Sequence, residues 1–280
     1  MPARERSGAS VLPKILALPV LSELVLDGFA YGGNYLVEFD SDSLWYETSL
    51  FMVARALGLG MKTEYHTFMH MPSHLRQSLA RFDLDLKSLE EKHLFNIVDT
   101  YTGLTGLPIR GEPRLTASGL SGEIHKSSYL SELTAQIVKL TERGVPEDAK
   151  GWLHVDDNTS IFNRYFSERE ILEMFQTKVF PFFKLAEITT IHAQLVGAVS
   201  DSFLKQFEAQ CDGVIDFKSR EEEGDIERYV RPRGFREKVC DSRWRHLHLL
   251  DNGKIALDSR PLKDDQLGIR GWLRGPKKKK

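Results

Sequence analysis

The sequence predicts an α/β fold: a mostly parallel central sheet flanked by helices, with antiparallel strands at its C-terminal end. Three observations carry that expectation. Short apolar runs alternate with stretches of helical periodicity, the order that builds a parallel sheet covered by helices. Several runs, "FNIVDT" and "GVIDF" among them, are continuous rather than alternating, as strands buried on both faces require. Toward the C-terminus the pattern changes to "ERYVRPRG" and "WRHLHLLDNGKIALD", the second a hairpin turning at Asn252-Gly253.

In chain order, Met1 to Ser10 is polar and contributes no element. Strands are expected at Tyr35–Phe39, Thr63–Phe68, Leu94–Thr100, Trp152–Asp156, Glu187–Ile191 and Gly213–Phe217. Helices are expected at Thr48–Leu57, Ser73–Arg81, Ser127–Arg143, Glu168–Leu185 and Ser202–Gln210. The first of these sets Leu50, Val53, Ala54 and Leu57 on one face, which should bury against the sheet. Tyr101 to Glu123 is a long glycine-bearing loop, and loops of that length are functional or mobile. Pro232 removes a ladder donor from its strand, which should therefore be an edge or bulged there.

Composition narrows the function classes. With 280 residues and 41% hydrophobic content the chain can bury a substantial core. A formal net charge of −2 favours neither a nucleic-acid binder nor an acidic solvating protein. Cys211 and Cys240 make neither a metal spacing nor a disulfide framework, which suits a reducing, cytoplasmic setting. Lys14, Pro13 and Pro19 interrupt the apolar stretch near the N-terminus, so a signal peptide is not expected. No segment reaches the roughly 18 uninterrupted apolar residues of a membrane span.

The stretch "EFDSDSLWYETSLFMVARAL", residues 38 to 57, has the order strand, tight loop, helix that ordinarily holds phosphate. It has no glycine before the helix and no lysine, and it carries Asp40, Asp42 and Glu47. Around it, Gly32-Gly33 precedes the strand, Leu75-Arg76 and Phe82-Asp83-Leu84-Asp85-Leu86 follow, and Ile97-Val98-Asp99 closes a later one. In that order the chain resembles the KaiC-like branch of RecA-type ATPases, with their P-loop NTPase fold. The resemblance covers residues 20–260, leaving an N-terminal tail of 1–19 and a basic C-terminal tail of 261–280 ending in "GPKKKK".

The resemblance implies a degenerate member. Laid on G-x-x-x-x-G-K-[ST], the loop reads Ser41 to Thr48, and only Thr48 survives. Backbone N–H groups wrap phosphate in conformations glycine allows cheaply, and Tyr46 stands where the second glycine would be. Glu47 replaces the lysine. One carboxylate and one phosphate charge ~4 Å apart repel by about 4 kcal/mol at an effective dielectric of ~20. The paired glutamates that follow the second strand in that family become Met69 and His70. Asp156, in "GWLHVDD", keeps the Walker-B-like position, and without phosphates it is expected to cap a turn rather than hold metal. No nucleotide, metal or other cofactor is expected.

Other candidates are weighed beside this. His66, His70 and His74, with Met69 and Met71, span a strand end, a turn and a helix start, so their rings need not converge. His246 and His248 share a strand face and read as surface or packing. Arg231-Pro232-Arg233-Gly234 resembles the K-x-R-G element that reaches the neighbouring subunit's nucleotide in that family, which makes Arg231 and Arg233 candidate interface residues. The expected role is a catalytically inactive regulatory or scaffolding partner of another protein, either a second copy or an intact KaiC-like paralog. Alternatives are a recombinase-type nucleic-acid accessory protein, and a divergent metal-dependent enzyme built on Asp40, Asp42, Glu47, Asp156 and Asp157.

Overall fold

A computed structural model describes residues 15–16, 18, 20–25, 28–105, 150–222, 224–236 and 238–262. The predicted helix Ser127–Arg143, most of the loop from Tyr101 to Glu123, and the lysine tail lie outside these residues.

Strands β1 (Ile15–Leu16) and β2 (Phe29–Ala30) form a small antiparallel pair. Strand β1 falls within residues 1–19, the segment expected as an N-terminal tail. The main sheet comprises β3 (Asn34–Phe39), β4 (Lys62–Thr67), β5 (Phe95–Asp99), β6 (Trp152–Asp156) and β7 (Thr189–Leu195). It continues with β8 (Gly213–Glu222), β9 (Asp225–Phe235), β10 (Arg245–Leu249) and β11 (Ile255–Leu257). Its order is β11-β10-β9-β8-β3-β7-β6-β4-β5. Pairings from β8 through β5 are parallel, and those among β8, β9, β10 and β11 are antiparallel.

The helices are α1 (Leu21–Leu24), α2 (Trp45–Gly58), α3 (Pro72–Ala80), α4 (Leu86–Glu91) and α5 (Thr100–Thr105). After β6 come a 3₁₀ turn (Thr159–Arg164), α6 (Glu168–Met174), a π-helical turn (Phe175–Val179) and α7 (Phe180–Leu185). The last helix is α8 (Asp201–Glu208). Local chemistry sets several of these boundaries. Pro72 opens α3, where its missing N–H costs nothing. Ser167 and Glu170 form a capping box at the start of α6. The periodicity over Glu168–Leu185 is interrupted by the π turn, in which the Phe180 N–H bonds the Phe175 carbonyl.

Two cores flank the sheet. One packs α2 and α3 on Tyr35, Val37, Tyr65, Val155, Ile191 and Ile215. Leu50, Val53, Ala54 and Leu57 are buried in it, as their spacing predicts. The other packs Phe175, Phe180, Phe183 and Phe207 over Leu36, Trp152 and Val214. At the entry to β3, Gly32 has φ 70°, and a Cβ on Gly33 would sit 2.6 Å from the Tyr35 hydroxyl, so both positions need glycine. Pro232 pairs with Ile215 at a register shift in the β8–β9 ladder, the bulge its missing donor calls for.

Candidate functional site

The loop from Asp40 to Leu44, between β3 and α2, is tied to its surroundings. Ser219 donates to the Asp40 carboxylate through its backbone N–H (2.7 Å) and its hydroxyl (2.9 Å). Nε of Arg228 donates to the Asp42 carbonyl at 3.0 Å. Trp45 is buried at the head of α2 and donates its indole N–H to the Asp157 carbonyl at 3.0 Å. Tyr46 packs its ring 4.1 Å from that of His70. Thr48, the surviving phosphate-loop residue, is fully buried, and its hydroxyl donates to the Leu44 carbonyl at 2.6 Å. Ser41 is exposed and Glu47 half-buried. The first turn of α2 therefore turns a large indole and a spent hydroxyl inward.

Asp156 caps no turn. Its carboxylate lies inside the sheet, against the aromatic core, where three imidazoles meet it. His66 Nδ1 stands 2.9 Å and His154 Nε2 3.0 Å from Oδ1, and His192 Nδ1 contacts Oδ2. Strand register brings them together: His66 pairs with Asp156 across β4–β6, and Asp156 with His192 across β6–β7. Two of the three outer nitrogens are held too, His154 Nδ1 by Glu64 Oε2 at 3.3 Å and His66 Nε2 by Thr100 Oγ1 at 2.6 Å, whereas His192 Nε2 is buried with no hydrogen-bond partner among the described residues. Burial alone would raise the Asp156 pKa, but the charge of His154 and the hydrogen bonds from His154 and His192 hold it well below the usual range. Burial disfavours a charged His154, yet Asp156 and Glu64 outweigh it and raise its pKa to about 9. Burial lowers His66 and His192, so both rings are neutral at pH 7 and donate to Asp156.

A second charged cluster crosses β3, β8 and β9 on the same face. Arg233 reaches Asp216 through Nε (3.1 Å), Glu208 through Nη1 (3.0 Å) and Glu38 through Nη2. Arg231 bonds Asp216 through Nε at 2.8 Å and lays its guanidinium over Trp244. Burial raises Glu38 to about 8 against the pull of Arg233, with the charges of Asp216 and Glu208 adding to the rise. The two arginines expected to face a neighbouring subunit are thus engaged within this chain.

The five carboxylates proposed as a metal centre do not gather. Asp40 serves Ser219, Asp156 serves the histidines, and Asp157 accepts from the Phe68 N–H at 2.8 Å. His66 parts from His70 and His74, whose rings lie 5.2 Å from each other. Among the described residues, two sets have donors close enough to share a cation: buried His66, His154 and Asp156, and the more exposed His246, His248 and Asp258 on the C-terminal hairpin.

Sequence reasoning missed Glu64, His154 and His192. A signal was present: Glu64-x-His66, His154-x-Asp156 and Thr190-x-His192 each put titratable or polar residues at alternate positions of a strand. Such residues share a strand face. Knowing that they also share one site requires the order β4-β6-β7.

The arrangement of sheet and helices is that of the RecA-like fold. A KaiC-like protein of the hyperthermophilic archaeon Pyrococcus horikoshii OT3 superposes with a TM-score of 0.66 at 17% identity, over 88% of this chain and 99% of that one. No family model matches the sequence, and no curated protein does. No helix among the described residues is long and apolar enough to cross a membrane.

Proposed function

We propose that this chain is a non-hydrolysing RecA-like module that works through protein–protein contacts, as a regulatory or scaffolding subunit. The observation that carries this reading is the fate of Asp156. The carboxylate at the Walker-B-like position is enclosed by His66, His154 and His192 and nearly inaccessible, so it does not face a nucleotide-bound cation at the sheet edge. The phosphate-loop positions support it: Ser41 is exposed, Tyr46 packs against His70, Glu47 brings a negative charge, and Thr48 is spent inside the helix.

The partner is a second copy of this chain or an intact KaiC-like paralog. Arg231 is the stronger contact residue of the proposed pair. It bonds Asp216 through Nε, and its terminal amines have no hydrogen bond among the described residues, whereas Arg233 commits all three nitrogens within the chain. Isothermal titration with ATP or GTP and Mg²⁺ tests the central claim. No binding is expected, and a sub-millimolar Kd would overturn it.

A further inference from the structure

We propose that His66, His154 and Asp156 bind one divalent transition-metal ion of the zinc class inside the sheet. The inference does not depend on the nucleotide question. The donors already converge: His66 Nδ1 and His154 Nε2 stand 2.9 Å and 3.0 Å from one carboxylate oxygen, and all three atoms lie within 4.8 Å of one another. In a tetrahedral site, bonds of ~2.0–2.1 Å put neighbouring donors roughly 3.3 Å apart. A small relaxation opens this triangle around an ion.

The outward contacts are those that metal-bound histidines require. A ligating imidazole is oriented by an acceptor on its other ring nitrogen. Glu64 Oε2 stands behind His154 Nδ1, and Thr100 Oγ1 behind His66 Nε2. When the ion binds, His154 keeps the proton facing Glu64 and gives up the one facing Asp156. His66 shifts its single proton from Nδ1 to Nε2, facing Thr100. His192 holds Oδ2 of Asp156, leaving Oδ1 for the ion.

Oε1 of Glu64 is buried with no hydrogen-bond partner among the described residues, a cost that the neighbouring charged His154 offsets in the metal-free protein and that the ion would offset once bound. Donor chemistry chooses the ion. Two imidazoles and one carboxylate suit Zn²⁺ and its late first-row neighbours, whereas Mg²⁺ and Ca²⁺ prefer all-oxygen sites. A thiolate centre is excluded, because Cys211 directs its sulfur to the Phe207 carbonyl and Cys240 lies in another part of the chain. Three protein donors leave a fourth position to water. With side chains at most 5% exposed, the ion would enter as the chain folds and leave slowly.

The test uses untagged full-length protein, refolded with Zn²⁺ alone or Co²⁺ alone and then dialysed against a chelator. About one equivalent should be retained and released only on unfolding. The Co²⁺ form should show visible d–d absorption, and the metal-loaded protein should melt above the metal-free one. His154→Ala should abolish retention, while His248→Ala, in the exposed hairpin set, should leave it unchanged. Glu64→Gln alters only the contact behind His154, and a 10–100-fold loss of affinity in chelator competition is expected even if the alanine variant does not fold. Retention below about a tenth of an equivalent by the wild type would overturn the proposal. So would retention lost through His248→Ala, or affinity unchanged in Glu64→Gln.

Discussion

His154 and Asp156, two residues apart on one strand, bond to each other along the same face, Nε2 to Oδ1 at 3.0 Å. Side chains so related stand parallel on the pleat and seldom bond directly. Here the contact makes one short segment of β6 both donor and acceptor, and strands β4 and β7 close around it.

Asp156→Ala should therefore destabilise the fold strongly. It strips the acceptor from three buried imidazoles and leaves His154 charged against Glu64 alone. Breaking such a buried ionic contact costs about 3–5 kcal/mol. Urea denaturation of wild type and variant measures this, and a difference under ~1 kcal/mol would show that the cluster is not holding the sheet together.

Stability of the metal-free protein should fall as pH rises from the neutral range toward 9. His154 is raised from 6.5 to about 9, so its contribution is fully present below pH 6.5 and lost through pH 9. Glu38 is raised from 4.5 to about 8, so the native state keeps a proton the unfolded chain has released, and stability declines across that interval too. Both slopes have the same sign. Glu38→Gln should flatten the decline between pH 5 and 8 in thermal melts, and an unchanged slope would remove Glu38 from the account.

Leu57→Ala should cost about 2–5 kcal/mol, because Leu57 is 4% exposed in the core between α2 and the sheet. Glu47→Lys, at a half-buried position of the first turn, should change stability little. Chemical denaturation of the two variants side by side separates core from surface on one helix.

The two arginines should separate by assay. Arg233→Ala leaves Glu38, Asp216 and Glu208 facing one another, and with the Arg233 side chain 32% exposed, solvent screening trims the loss to about 1–3 kcal/mol. Arg231→Glu should reduce co-purification of a partner protein while circular dichroism stays native. Truncating Lys277 to Lys280 should matter little. If the truncation abolishes co-purification and Arg231→Glu does not, a simple electrostatic tether replaces the arginine contact.

Much of the fold was legible because its signals are local. Apolar patterning marked β3, β4, β5 and β6 to within a residue, β8 was foreseen only to Phe217 and runs to Glu222, and Leu50, Val53, Ala54 and Leu57 marked the buried face of α2. Strand β7 was foreseen only to Ile191 and runs to Leu195, because "HAQL" reads as polar until His192 and Gln194 find partners on β6 and in the 3₁₀ turn. The same cause hid the histidine cluster. Asp156 was visible as a strand-end acid, but two of its three partners lie 90 and 36 residues away in sequence and meet it only through cross-strand register. Arg231 and Arg233 were legible as a pair, while their carboxylate partners on β3, β8 and α8 were not.

The π turn between α6 and α7 fixes how quickly the buried histidines can exchange with the outside. In an α-helix of 3.6 residues per turn, residues five apart point in different directions. Here the Phe180 N–H bonds the Phe175 carbonyl, and both rings come to rest on His192, with centroids 5.2 Å and 5.4 Å away. With Phe183 and Phe207 at 6.2 Å and 6.4 Å, the imidazole is enclosed by four phenyl rings. Its ring proton should leave only when that segment opens, so in D₂O it should persist in a downfield proton NMR spectrum long after surface amides have exchanged.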